Sequence, residues 1–284
     1  MALTNTSTLD DLLPSIVAEA LFVASERSVM RNLVRNYQLA PGNGVTVKVP
    51  VYPQYNASVL TEATAPTANA ITTSSATLTV REVGLMATVS DLSLMGSASN
   101  VTADIGRLFG EAIARRIDLD LTAQFANFTT NLLGNATAAS ATITVPDVFK
   151  AVAKLTALGV PGGDLVLVLH PRVAYDLKAA LTNSFANPNG GIIQNGTMAT
   201  GYIGQLAGCS VYETSNMASQ TASDDFTGGL FHRDALGLAM MQDIKIETQR
   251  QAGVRGYDIV GSSIYGVGVL YEANGVALGF DSTI

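Results

Sequence analysis

His170, His232 and Cys209 are the side chains of this chain best suited to acid–base or nucleophilic work. Each histidine follows an apolar run and no Gly-x-Ser-x-Gly element accompanies either, so both read as hydrogen-bonding groups at strand ends. Cys209 is the single cysteine. It leaves no internal disulfide framework and no multi-cysteine metal site, fits folding in a reducing cytoplasm, and reads as a small buried hydrophobe. Asp118 and Asp120 lie two apart on a predicted helix and so point to different faces, whereas a hard cation needs converging oxygens. Asp224 and Asp225 precede Gly228 and Gly229, which reads as a solvated turn. Gly266 and Gly268 lack the third glycine and the following helix of a dinucleotide site, and are better explained by close packing within a strand. Residues 161–164 (PGGD) carry no Gly-Lys-Ser/Thr and cannot cradle phosphate. No catalytic, cofactor-binding or metal-binding residue is assigned.

The elements that would position such groups are plentiful. Of 284 residues, 48% are hydrophobic and 14% charged, enough apolar material for one large domain or two joined ones. A mean hydropathy of +0.29 implies that much of the surface faces other protein. No apolar run reaches the eighteen or so residues of a membrane span, and the N-terminus lacks the basic and apolar regions of a signal peptide. The Asn-x-Thr/Ser triplets are then compositional accidents. A net charge of −7 argues against wrapping nucleic acid, which needs clustered cations, but is compatible with enclosing it.

Periodicity sets out an α+β chain. A first helix is expected from a cap at Asp10 or Asp11 to about Val34, placing Arg27, Arg31 and Arg35 on one face. That face is either a solvated basic side or a contact with an acidic neighbour. Ile105, Phe109, Ile113, Ile117, Leu121, Phe125 and Phe128 predict a long helix from a cap at Asn100 to about Thr130, roughly 45 Å in length, closed by Gly134. A short strand near residues 142–145, a helix from Pro146 to Gly159, a buried strand over 165–170 and a helix from Pro171 to Leu181 follow. After a loop over 183–201 come short strands at 209–214 and 229–232. Three longer strands complete the chain, the last two joined by a turn at 272–275.

The segment between Asn36 and Val80 is the unusual one: Lys48 and Glu62 are its only charges, yet it is too rich in Thr, Ala, Pro and Asn for a core. Residues 45–52 lead out and 77–83 return, predicting a β-hairpin that would project roughly 40 to 50 Å. A two-stranded ribbon is marginal alone in water. It is expected to lie on a neighbouring copy, with Val51, Tyr52, Tyr55, Val59, Leu60, Ile71, Leu78, Arg27 and Arg31 at inter-subunit contacts.

In this order of elements the chain resembles a major capsid protein of a tailed bacteriophage, with the Hong-Kong-97-like fold. The carriers are LLPSIVAEA at 12–20, the hairpin entry at 45–49, ATVSD at 87–91 and DIGRLFGEAIARRID at 104–118. Further along they are LVLHP at 167–171, IGQLAGCSV at 203–211, FHRDA at 231–235 and the closing strand pair. The resemblance implies an N-terminal arm and helix (1–40) and an extended E-loop (41–95). It also implies a P-domain with a spine helix (96–145 and 232–262) and an axial α/β A-domain (146–231 and 263–284). It implies hexamers and pentamers in an icosahedral shell around double-stranded DNA, a portal protein, and either a separate scaffolding protein or a scaffolding segment already removed by cleavage, assembled in the bacterial cytoplasm without a membrane. Some relatives weld subunits by a Lys-to-Asn isopeptide bond; here Lys48 at the loop base is the only lysine of that loop, so noncovalent joints are expected. An encapsulin-type bacterial nanocompartment shell shares the fold and is the alternative; an α+β enzyme is the remote one.

Overall fold

A computed structural model of the chain describes residues 28–52, 57, 59, 60, 62, 70, 72–96, 101–129, 132–134, 141–184, 203–219 and 225–284. Two sheets and a ribbon organise them. The four-stranded sheet joins β1 (Arg35–Gln38), β10 (Leu236–Gln251), β11 (Gly256–Val269) and β4 (Arg81–Ser90) in that order. The six-stranded sheet runs β5 (Leu132–Gly134), β12 (Gly275–Phe280), β9 (Phe226–His232), β6 (Leu165–Leu169), β8 (Cys209–Glu213) and β7 (Gln205–Leu206). The ribbon pairs β2 (Thr46–Val51) with β3 (Ser74–Thr79).

A helix, α1 (Asp91–Gly96), follows β4, and the spine α2 (Val101–Ala123) follows that. The four-residue steps predicted from the sequence are real: Ile105, Phe109, Ile113, Ile117 and Leu121 are all buried. At 23 residues α2 is about 35 Å long, shorter than expected, because a 3₁₀ turn over Gln124–Asn127 continues it. Phe125 and Phe128 on that turn complete the buried row. Gly134 does not close the helix; it lies in β5, opposite Gly279 of β12. The proposed cap Asn100 lies outside the described residues.

Beyond the spine, α3 (Val145–Ala157) starts where Asp147 Oδ2 accepts from the Thr144 N–H at 3.1 Å. That capping uses the residues expected to form a strand, which is reduced to a single bridge between Thr142 and Asp281. β6 is buried along its whole length between β9 and β8, as its unbroken apolar run requires. α4 (Pro171–Ser184) follows it.

Two expectations are corrected. The first helix does not reach Val34: residues 30–32 form a 3₁₀ turn and 35–38 are β1, parallel to β10; residues 1–27 lie outside the described ones. The last two strands do not pair with each other. The turn at Glu272–Asn274 hands the chain from β11 in one sheet to β12 in the other. One hydrophobic core joins both sheets and α2.

Candidate assembly interface

The ribbon is built by register. Thr46 opposes Thr79 and Val51 opposes Ser74, so the paired strands have six residues each and span about 20 Å. Alternation gives it two faces: Val47, Val49 and Ala76 are half-buried while Thr46, Lys48 and Thr77 are exposed. The apolar face settles on its own chain. Leu78 is fully buried in a small cluster with Leu39, Val80, Ala239 and Leu270.

That seat is paved by small residues. Gly237 opposes Gly268 and Ala239 opposes Gly266 across β10 and β11. A Cβ at Gly268 would lie 2.8 Å from Leu78 Cδ2, and one at Gly237 would lie 3.0 Å from Leu78 Cδ1. A Cβ at Gly266 would collide with the Thr79 carbonyl. The two glycines that do not make a nucleotide site are therefore the floor on which the ribbon lies.

The residues expected at inter-subunit contacts divide accordingly. Tyr52 and Leu60 are about three-fifths exposed and Val59 is fully so, while Val51 is half-buried. The Leu78 side chain is enclosed within its own chain, at the base of the ribbon. The Arg31 guanidinium pairs with Asp243 at 3.0 Å inside the same chain. Arg35 likewise pairs with Asp234 at 2.9 Å. Arg27, Tyr55 and Ile71 lie outside the described residues.

Two buried carboxylates fasten the ribbon and the first described residues to the spine. Asp118 Oδ1 accepts from Ser28 Oγ at 2.8 Å and Met30 N at 3.2 Å, and its Oδ2 accepts from Val29 N at 3.1 Å and Asn216 Nδ2 at 3.4 Å. Burial pushes the Asp118 carboxyl up, against the pull of those donors. Asp120 Oδ2 accepts from Arg81 at 2.7 Å and from the phenol of Tyr265 at 2.8 Å. The two acids do point to different faces, as their spacing requires. Sequence reading missed Arg81 and Tyr265. The available signal was a charge placed directly after the apolar Val80 in a β-prone run.

Both histidines make local hydrogen bonds. Nδ1 of His170 accepts from Arg172 N and that of His232 from Asp234 N, each at 3.3 Å, as strand-end groups. His170 also stacks on Phe226 with centroids 3.6 Å apart; burial and the Arg172 charge push its pKa down. Cys209 is buried, and burial pushes its thiol up to about 11. Asp225 is buried rather than solvated, a correction; Asp224 lies outside the described residues. Among the described residues no three His, Cys, Asp or Glu side chains converge as a metal site, and no helix is long and apolar enough to cross a membrane.

The family model for phage capsid proteins matches residues 73–278. The chain belongs to the phage capsid protein family. Solved structures share the fold of this capsid protein at low identity. A capsid structure of Cyanophage P-SCSP1u superposes with a TM-score of 0.70 at 18% identity, over 90% of this chain and 89% of that one. A structure from Mycobacterium phage Che8 gives 0.69 at 20% identity, over 88% and 90%. A virus-like particle from Pyrococcus furiosus gives 0.62 at 10% identity, over 94% and 98%. A search of curated proteins returns no match. The capsid protein therefore has the α+β, Hong-Kong-97-like architecture that the order of its elements implied.

Proposed function

We propose that this capsid protein is a structural subunit that closes, with many copies of itself, an icosahedral shell around phage double-stranded DNA, and that it performs no catalysis. The observation that carries the reading is the ribbon. Its base is tied to its own sheet by Leu78, while Tyr52, Val59 and Leu60 beyond the base present apolar surface to the outside. Apolar side chains exposed in this charge-poor segment, beside a ribbon that is marginal alone, suit cover by a lattice neighbour. A standard interface buries about 1,600 Å² in total, and several per subunit add to a durable wall.

Hexamers and pentamers are the closed rings of this reading, with a scaffolding protein and a portal as partners and the host cytoplasm as the place of assembly. The net charge of −7 suits a wall that contains phosphate without gripping it. In the test, residues 53–77 are deleted and the protein is expressed with its scaffold. We expect a folded subunit, by circular dichroism and thermal melting, that forms no closed particles in negative-stain micrographs. Normal particles from the deletion would overturn the role of the ribbon. Full-length particles filled with protein cargo in place of DNA would favour the nanocompartment.

A further inference from the structure

Asparagine is a thermally labile residue, most of all before glycine, whose missing side chain leaves its backbone nitrogen unshielded and free to turn onto the asparagine carboxamide. Asn-Gly pairs stand at 43–44, 189–190, 195–196 and 274–275. The middle two lie outside the described residues, and the outer two are in opposite circumstances. Residues 40–46 are all exposed. Asn43 N–H donates to Ala40 O at 3.3 Å, but among the described residues its side-chain amide and the Gly44 N–H have no hydrogen-bond partner. Gly44 has φ +84° and open space where a Cβ would be. The Gly275 N–H instead donates to Glu272 O, its backbone is extended at the start of β12, and a Cβ there would lie 2.4 Å from Phe128 Cζ. That nitrogen is held, and the Gly44 nitrogen is not.

The loop that carries Asn43 is fixed at both ends. Leu39 is buried and its N–H donates to Met240 O of β10 at 2.9 Å. Val45 O accepts from Val80 N at 2.9 Å, the rung next to the Thr46 and Thr79 pair that opens the ribbon. Residues 40–44 bridge these two bonds.

We propose that Asn43 is a site of spontaneous deamidation and that its isoaspartate product loosens the base of the ribbon. The Gly44 nitrogen attacks Asn43 Cγ; a C–N bond forms there as the bond to Nδ2 breaks, and the Gly44 proton leaves with Nδ2 as ammonia. Water then opens the five-membered imide. Breaking the bond from Cγ to the Gly44 nitrogen gives aspartate. Breaking the bond from the Asn43 main-chain carbonyl to that nitrogen gives isoaspartate, whose backbone runs through Cβ and Cγ and is longer by one carbon, about 1.5 Å. Between two fixed ends that added length falls on the Val80 to Val45 rung. Either product also places a negative charge in a stretch, 36–80, whose only charges are Lys48 and Glu62. The inference concerns the single subunit and stands apart from the shell reading.

In the test, full-length subunit is aged in mildly alkaline buffer, which favours loss of the Gly44 proton, and mapped by trypsin digestion and mass spectrometry. Peptide 36–48, bounded by Arg35 and Lys48, is expected to gain about 1 Da at Asn43, from exchange of NH for O, at least about tenfold faster than Asn274 reacts. Hydrogen exchange at the Val80 amide is expected to quicken about fivefold or more in the aged subunit. Unaged Asn43→Asp carries the charge without the extra carbon and should keep the slow exchange, as should aged Asn43→Gln, whose longer side chain closes no five-membered ring. Asn43 intact after Asn274 has reacted would overturn the site. Unchanged Val80 exchange in converted protein, or equal quickening in aged Asn43→Gln, would overturn the loosening.

Discussion

Tyr265 Oη donates to Asp120 Oδ2 at 2.8 Å, and both groups are buried. The same oxygen takes Arg81 Nη2 at 2.7 Å, while Arg116 reaches Oδ1 at 3.1 Å. Three elements meet at one carboxylate: α2 through Asp120 and Arg116, β11 through Tyr265, and the start of β4 through Arg81. The ribbon strand β3 ends at Thr79, two residues before Arg81, so Asp120 holds the base of the ribbon against the spine. Burial pushes the Asp120 carboxyl up, but hydrogen bonds from Arg81 and Tyr265 and the two guanidinium charges outweigh it and hold it below the usual carboxylate range. Burial and Asp120 together push the Tyr265 phenol far up, so it remains a donor.

Replacing that carboxylate should therefore show in acid. A folded-state pKa below the unfolded one of about 3.9 gives stability that is present above that value and lost as pH falls through the folded pKa. Asp120→Asn is expected to lower stability by about 1–2 kcal/mol at pH 7, the arginines being partly screened by solvent. It should also flatten the loss of stability below about pH 4. Urea melts between pH 2.5 and 7 measure both; an unchanged acid limb in the variant would show that this carboxylate is not the linked group.

Asp118→Ala leaves the donors of Ser28, Val29, Met30 and Asn216 without their acceptor. Stability is expected to fall by about 2–4 kcal/mol, with new protease cleavage near residues 28–30. Because burial disfavours the Asp118 charge, Asp118→Asn should cost less than Asp118→Ala. Equal melting temperatures for all three proteins would rule the anchor out.

Gly268→Val puts a side chain where Leu78 Cδ2 already lies, 2.8 Å from the new Cβ. The body should fold with a loss of about 1–3 kcal/mol, because overpacking strains this site, while assembly fails as the ribbon is lifted from its seat. Gly253→Ala, with nothing within 4 Å, is the matched control and should assemble normally. Micrographs and melting curves of both variants decide it.

Lys48 is the only lysine of the ribbon and lies in β2, at its base. Mature shells boiled in detergent should run as a single band near 29.5 kDa. A ladder of subunit multiples would show covalent welding.

Much of this was legible along the chain. Four-residue steps of Ile and Phe announced the spine, an unbroken apolar run announced β6, and a charge-poor stretch announced the ribbon, because these signals depend on neighbours within a few positions. The first helix was misjudged at residues 30–38, where parallel pairing of β1 with β10 outweighs a rough helical stripe. The strand expected at 142–145 gave way to a helix cap because Asp147 satisfies Thr144 locally.

By itself the sequence determined the class of the elements, their order and the charge-poor character of one segment, since hydrophobic periodicity and charge are local properties. Only the tertiary structure decided that Leu78 belongs to its own protomer, that Gly266 and Gly268 are a floor for the ribbon, and that Asp120 joins Arg81 to Tyr265. Those relationships span from about forty to almost two hundred positions of chain. Contacts so far apart exist only once the strands have chosen their partners, and no spacing rule along a chain encodes that choice.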